Sequence, residues 1–398
     1  MKILMLTPYL PYPPSSGGQI RSYNLIKHLS KKHEITLYSL IKYETETKYV
    51  AELQKYCKSV KIFRRPQKPW TPGNIFRTAM SLYPFLVIRN FSSEEKKDIT
   101  ETLKNEDFDL IHAETFYVSP HIPKTNIPMV LVDQTIEFQV YQHYVHTFKW
   151  FFLKPMLLID VLKIKYWETY FWKKAKKVVA VSESDAKKMR QLAPGLNVSV
   201  VPNGVGEDLM EEIPLHFSQT ILFMGNYAWL QNIEAARILA KDVFPLIRNE
   251  IPEAKLIIAG QYTEKIEELQ SSDIKLINLG LDDIEGVKKA YRENGILVAP
   301  LYGPGGTRLK ILAAMAAKLP VVTTNVGIEG IEAVNGEHAL FGESPQSLAK
   351  IAVKLLTDRK LYSKIAHNAR KLVEEKYSYF SVADQLDSIY QEVRKNEG

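Results

Sequence analysis

The sequence predicts an α/β protein of two doubly wound domains, and three observations lead there. The 398 residues exceed one ordinary core. Short β-rich apolar runs alternate with helix-length amphipathic segments in two successive series. A turn signal, Pro202-Asn203-Gly204, separates the two series. Strands that alternate with helices imply parallel sheets covered on both faces.

The first series opens with a strand at Lys2–Thr7, a helix from about Gly18 to Lys31 and a strand at Glu34–Leu40, which is a βαβ beginning. Runs at Ser59–Phe63, Leu110–His112, Met129–Val132, Val178–Val181 and Val198–Val201 complete a domain placed at 1–205. The second series has strands at Thr220–Met224, Lys255–Ala259, Ile274–Asn278, Ile296–Ala299 and Val321–Thr323. Doubly wound sheets bind ligands outside the carboxyl ends of their strands, so two facing domains would form an interdomain cleft.

Composition narrows the chemistry. Hydrophobic residues make up 45% and charged residues 24%, the balance of a globular chain. Cys57 stands alone, which excludes a disulfide framework and a thiolate zinc site and fits a reducing, cytoplasmic setting. The start MKILMLTPYLPYPP reads as a first buried strand, because prolines follow where a signal peptide would lengthen its apolar region. A net charge of +7 favours anionic ligands or surfaces, and no run of 18 residues is apolar without charge.

The segment Phe138–Lys177 interleaves aromatics with lysines and reads as helical, broken at Pro155. Two readings stand: helices covering the first sheet and a cleft rim, or an interfacial surface whose Trp150, Phe151, Phe152, Trp167 and Trp172 meet lipid headgroups at the inner face of a membrane.

The stretch Ile296–Thr324 is the most informative. A strand ends at Pro300, a loop with Gly303, Gly305 and Gly306 follows, and Thr307 caps a helix reaching about Lys318. Amides and dipole at such a helix start favour an anion, and Arg308 and Lys310 add cations there. Cations in a first helical turn oppose the dipole, so a bound phosphate explains them better than local stability does. The alternative is a glycine-shaped turn with solvated cations. The order GxxxxGK[ST] is absent, which disfavours a P-loop.

A second glycine-rich turn, Gly17-Gly18, opens the first helix, where Arg21 reaches a phosphate or lies solvated. His112 and Glu114 share one face of a strand end and are candidates for acid/base chemistry, with a structural role as the alternative; Glu137 is a further carboxylate just after a strand. Ser182 reads as a helix N-cap with Asp185 at N3, and Asn203-Gly204 as a junction turn. The nine histidines show no paired metal spacing.

Together the segments MKILMLTPYLPYPPSSGGQIRSYNLIKHL, DFDLIHAE, VVAVSESDAKKM, VVPNGV, ILFMGNYAWLQNIEAARIL and GPGGTRLKILAAMAAKLPVVTTNVGIEGI resemble, in order, the GT-B-fold retaining glycosyltransferases of family 4, in a GTRLK-type subgroup. The resemblance spans nearly the whole chain. It implies two Rossmann-like domains, the second at 206–376, with a final helix at 377–398 crossing back to the first.

It further implies metal-independent transfer, with retention, from a nucleoside-diphosphate sugar such as a UDP- or GDP-sugar. The acceptor would be a glycan, a lipid-linked molecule or another hydroxyl compound, with no nucleic acid and no cofactor. The donor site would comprise Gly17, Gly18, Arg21, Asn203, Gly225, Asn226, Gly305, Gly306, Thr307, Arg308, Lys310 and Glu329.

The sequence departs from the family pattern in three ways. Gly225 through Asn232 carries neither the Arg nor the Lys common after that strand, which shifts the cationic role to Arg308 and Lys310. The family's paired glutamates fall on Gly305 and Ala313. Ala313, where the second glutamate would hold the donor ribose, reads as an engineered inactivation or a natural loss. The competing functions are a silent nucleotide-sugar-binding protein and, less favoured, a sugar-nucleotide epimerase.

Overall fold

The computed structural model describes residues 1–68, 70–148, 150–211, 214–280, 283–303 and 308–395, the side chains of Thr147 and Asp208 excepted. Among these residues the chain builds two parallel sheets. The first holds β1 (Lys2–Thr7), β2 (Glu34–Ile41), β3 (Ser59–Arg64), β4 (Leu110–Glu114), β5 (Met129–Asp133), β6 (Lys177–Ala180) and β7 (Val198–Val200), in the order β3-β2-β1-β4-β5-β6-β7.

The second holds β8 (Thr220–Asn226), β9 (Lys255–Gln261), β10 (Ile274–Asn278), β11 (Ile296–Ala299), β12 (Val321–Thr323) and β13 (Leu340–Phe341), in the order β10-β9-β8-β11-β12-β13. Strand order reverses between β1 and β4 in one sheet and between β8 and β11 in the other. These are the switch points where doubly wound sheets open a crevice at their carboxyl ends.

The expected alternation is present, with strands that run further than their apolar cores. Pairing continues through Gly225↔Gly260 and Asn226↔Gln261, so polar residues end β8 and β9. Strand β13 escapes a pattern reading because two residues carry no periodicity. Central strands are apolar on both faces because helices cover both: Ile3–Leu6 and Ile221–Phe223 are fully buried.

The chain packs as two units, Met1–Pro202 with Ala383–Gly398, and Asn203–Val382. Residues just after Pro202 go with the second unit because Val205 donates to the Tyr377 carbonyl (2.7 Å) and accepts from the Tyr379 amide (3.2 Å). Gly204 is required there, since a Cβ would lie 2.9 Å from the Tyr377 carbonyl oxygen. The final helix, Tyr379–Lys395, joins the first unit through its later turns: Asp387 bonds His33 at 2.9 Å and Lys32 at 3.1 Å.

Two local expectations are corrected. Pro155 does not break a helix but sits in the first turn of Lys154–Lys174, where its missing N–H costs nothing; the break lies before it, between the helix Glu137–Thr147 and a short turn at Phe151–Leu153. The helix of the glycine-rich stretch runs Leu309–Ala316 with Arg308 at its N-cap. Gly305, Gly306 and Thr307, the expected phosphate loop and cap, lie outside the described residues. Ser182 does cap the helix Glu183–Leu192, accepting from the Asp185 amide at 3.1 Å.

Candidate functional site

In the second unit the site grows from the carboxyl ends of β8 and β11. Gly225 leaves room that a Cβ would contest with Asn232 and Tyr227 at 3.3 Å. Asn226 then organises the turn: its Nδ2 donates to Gln261 Oε1 (2.7 Å), its Oδ1 accepts from the Ala228 amide (2.9 Å), and its carbonyl accepts from Asn232 Nδ2 (2.8 Å). Asn232 is thereby fixed, with its Oδ1 turned to accept from the Lys310 ammonium at 2.7 Å.

Lys310 stands in the first turn of Leu309–Ala316, its nitrogen 4.4 Å from the centre of the Phe223 ring. Burial, and secondarily the charge of Arg308, lower its pKa from the ordinary lysine value to about 7. Arg308 donates to the Gly303 carbonyl at 2.6 Å, and burial lowers its pKa while Glu329 partly offsets the effect.

Glu329 follows a turn built by two threonines. Thr323 Oγ1 donates to the Ala299 carbonyl (2.7 Å), and Thr324 Oγ1 accepts from the Gly327 amide (2.8 Å) while donating to Leu301. Gly327 is obligatory, because a Cβ would sit 2.1 Å from Thr323 Oγ1.

The helix carrying Lys310 is seated firmly. Residues Ile311–Ala316 are buried, and Ala313, Ala314 and Ala316 add little bulk to the helix. Arg370 donates to the Ala316 carbonyl at its far end, satisfying a group that the helix itself leaves open. Ala313 lies one turn beyond Lys310 on the same side and is 9% exposed.

In the first unit, residues from β4, the turn after β5, the first helix and the final helix meet. His112 and Glu114 share a face as expected, and Nε2 lies 2.7 Å from Glu114 Oε2. The carboxylate accepts from Nε2–H, so Nδ1 is left to accept the Tyr390 hydroxyl proton at 2.6 Å. Gln134 donates to Glu114 Oε1 at 2.6 Å, and Arg21 Nε lies 3.7 Å from the same oxygen. Burial alone would raise the Glu114 pKa, but His112, Arg21 and Gln134 outweigh it and hold it below the ordinary value.

Arg21 is not solvated surface: it is fully buried and donates to the carbonyls of Pro202 (2.7 Å) and Val201 (3.2 Å). Gly17 opens the first helix behind the Ser16 cap, and a Cβ on Gly18 would collide with the Tyr9 hydroxyl at 1.7 Å. Asn203 is buried at the start of the second unit.

Glu137 begins a helix with no cap of its own; the Glu168 carboxylate accepts from its amide at 2.7 Å and from that of Phe138 at 3.3 Å. Burial, then the nearby Asp133, push the Glu137 pKa up to about 7. Asp133 and Glu168 are likewise raised, chiefly by burial. Asp133 accepts from the Phe116 amide (2.9 Å) and the Trp172 indole.

Pattern reading missed Asn232, Phe223, Tyr390, Asp133 and Glu168. The partners Asn232, Tyr390 and Glu168 lie 78, 278 and 31 residues from the groups they serve. Among the described residues no three His, Cys, Asp or Glu side chains are placed to hold a metal. No described helix is long and apolar enough to cross a membrane.

Comparison with known proteins adds five findings. Residues 218–358 match the family described as glycosyl transferases group 1, and residues 15–209 match glycosyltransferase family 4. An uncharacterized 44.6 kDa protein in the cps region of Klebsiella pneumoniae is 24% identical over 98% of this chain and 99% of its own length. A capsular polysaccharide biosynthesis glycosyltransferase, CapM of Staphylococcus aureus, is 33% identical over 27% of this chain and 29% of its own. The Anabaena Alr3699/HepE structure, in complex with UDP and glucose, superposes with a TM-score of 0.66 at 14% identity, covering 98% of this chain and 100% of that one.

Proposed function

We propose, since the chain belongs to the group 1, family 4 glycosyltransferases of GT-B fold, that it moves a sugar from a nucleoside-diphosphate donor to a hydroxyl of a glycan or lipid-linked acceptor, with retention of configuration. The observation that carries this reading is the pairing of two half-buried cations, Lys310 and Arg308, with neutral acceptors, Asn232 and the Gly303 carbonyl, at the carboxyl end of a doubly wound sheet. A cation that burial has driven to a pKa of about 7 gains most from a phosphate that restores its charge.

In this reading the donor diphosphate lies against Lys310 and Arg308, at the start of Leu309–Ala316. The bond from the anomeric carbon to the diphosphate oxygen breaks, and the diphosphate keeps the electron pair. The acceptor oxygen bonds the same face of the carbon and passes its proton to the departing diphosphate oxygen. Lys310 and Arg308 stabilise the leaving group as its charge grows, which is the role a metal plays elsewhere. His112 and Glu114 serve as positioning residues beneath the strand ends of the first unit. The cps-region relative and CapM support an acceptor belonging to cell-surface polysaccharide assembly.

Ala313 favours a second reading, a protein that binds a nucleotide sugar without turning it over. A panel of UDP-, GDP-, ADP- and dTDP-sugars, assayed for nucleoside-diphosphate release in the presence of chelator, separates the two. Acceptor-stimulated release with an anomerically retained product by NMR supports transfer. Binding with no release on any donor supports the silent protein.

A further inference from the structure

The first unit carries two helices fastened to each other by polar bonds while their apolar residues face outward. Lys163 Nζ, on the helix Lys154–Lys174, donates to the carbonyls of Thr78 (2.8 Å) and Ser81 (2.7 Å), at the end of the helix Pro72–Met80. Trp167 Nε1 donates to the Leu82 carbonyl at 2.9 Å and its ring stacks on Tyr83 at 4.3 Å. Asp160 accepts from the Phe85 amide at 2.9 Å. These bonds use up the polar groups that would otherwise face solvent along the seam.

Large apolar side chains remain outside. Phe76 is 67%, Met80 76% and Leu82 82% exposed. On the neighbouring helix Ile159, Leu162 and Tyr166, at the i, i+3, i+7 spacing of one face, are likewise exposed, and Phe151 precedes them at 79%. Isolated exposed apolar residues are ordinary, but a set of them on two joined helices marks a surface that is covered in use.

Charge selects the cover. No Asp or Glu occurs from Leu53 to Ser93, and only Asp160 and Glu168 occur from Phe138 to Ser182. Both of those acids are engaged by backbone amides, and Glu168 is fully buried. The exposed charges on the two helices are Arg77, Lys165, Lys173 and Lys174. A second copy of the chain would set cation against cation, whereas an anionic lipid surface takes up both the apolar face and the lysines.

We propose that the paired helices Pro72–Met80 and Lys154–Lys174 dock this protein on an anionic lipid bilayer, the side chains of Phe76, Leu82, Ile159 and Leu162 entering the headgroup boundary. The platform differs from the aromatic-lysine stretch taken alone. Trp172 is fully buried and bonded to Asp133, and Trp167 is packed on Tyr83, so neither reaches lipid; Phe76, Met80 and Leu82 take their place.

The test is co-sedimentation of the full chain with vesicles of phosphatidylcholine alone or with phosphatidylglycerol, at low and high salt. Binding to the phosphatidylglycerol vesicles, weakened by salt, is expected. Ile159→Glu/Leu162→Glu and Phe76→Glu/Leu82→Glu should each cut binding at least tenfold, and Lys165→Glu/Lys173→Glu/Lys174→Glu should abolish the preference for anionic lipid. Circular dichroism and UDP affinity are measured on every variant, so lost docking is distinguished from misfolding and from failure of the transfer reading. Equal binding by wild type and both apolar variants, or no wild-type binding at low salt, overturns the proposal. So does a dimer in sedimentation velocity that Ile159→Glu/Leu162→Glu dissociates while wild type ignores vesicles.

Discussion

Lys310 donates to Asn232 Oδ1 at 2.7 Å, so the half-buried ammonium of the second unit is met by a neutral amide. An amide oxygen orients a cation without cancelling its charge. A carboxylate at that place would hold the lysine charged in the empty protein and would repel a diphosphate; Asn232 avoids both effects.

Nucleoside-diphosphate binding should therefore take up a proton. Lys310 titrates near pH 7 in the free protein because burial disfavours its charge, and a bound diphosphate raises that value. Above pH 7 the free lysine is neutral and must gain a proton to bind, so affinity falls as pH rises, by up to about tenfold per unit. Calorimetry of UDP and GDP in buffers of different ionisation enthalpy reads the proton directly. Lys310→Arg, charged throughout, should flatten the pH profile between 7 and 9; an unchanged slope would place the titrating group elsewhere.

Ala313→Glu should raise donor affinity by about 1.5–3 kcal/mol, or roughly tenfold to a hundredfold, if the ribose lies one turn past Lys310. The position is 9% exposed, so without ligand the new carboxylate is poorly solvated and the variant should melt below wild type. Nucleotide should then restore more stability to the variant than to wild type, measured by thermal shift. A variant that binds no tighter and turns over no faster on any bound donor removes the ribose from that position.

Tyr390→Phe should destabilise the first unit by about 1–3 kcal/mol. It leaves His112 Nδ1 buried without the hydroxyl that now lies 2.6 Å away. Urea denaturation gives the cost. A loss below about 0.5 kcal/mol would mean that water or a rearranged His112 replaces the bond.

Glu95 predicts a pH signature of its own. The Ser92 amide donates to His121 Nε2 at 2.9 Å, so that nitrogen has no proton to offer Glu95 Oε2, 3.4 Å away, and burial raises the Glu95 pKa to about 8. The folded state thus holds a proton that the unfolded chain loses above its ordinary carboxyl value, and stability falls as pH rises from about 4 toward 8. Glu95→Gln should remove this decline and stabilise the chain by up to about 4 kcal/mol at pH 8. Equal urea midpoints for both proteins at pH 8 would show that Glu95 ionises without penalty.

The extent to which the sequence disclosed this account follows from how local each signal is. Apolar alternation fixes the strands, because burial on both faces leaves a run such as Ile3–Leu6 no other reading. Ser182 is a legible cap because its partner Asp185 is three residues away. The cations Arg308 and Lys310 stood out because they oppose a helix dipole, yet Asn232, which sets the state of Lys310, sits 78 residues earlier in a turn with no charge to mark it. Arg21 reads from its glycine-rich turn as a phosphate contact or a solvated cation; only the fold brings the Val201 and Pro202 carbonyls to it. Trp172 and Trp150 are indistinguishable by type and spacing, but one is sealed on Asp133 and the other is 60% exposed.

Isothermal titration of UDP, GDP, ADP and dTDP into wild type, Arg308→Ala and Lys310→Ala tests the central claim most directly, because it asks whether these two cations hold the donor diphosphate. At least one nucleotide should bind wild type, and each variant should lose about 1.5–3 kcal/mol of that affinity, the usual weight of a charged hydrogen bond. A nucleotide bound equally by all three proteins would contradict the account and move the donor away from the start of Leu309–Ala316.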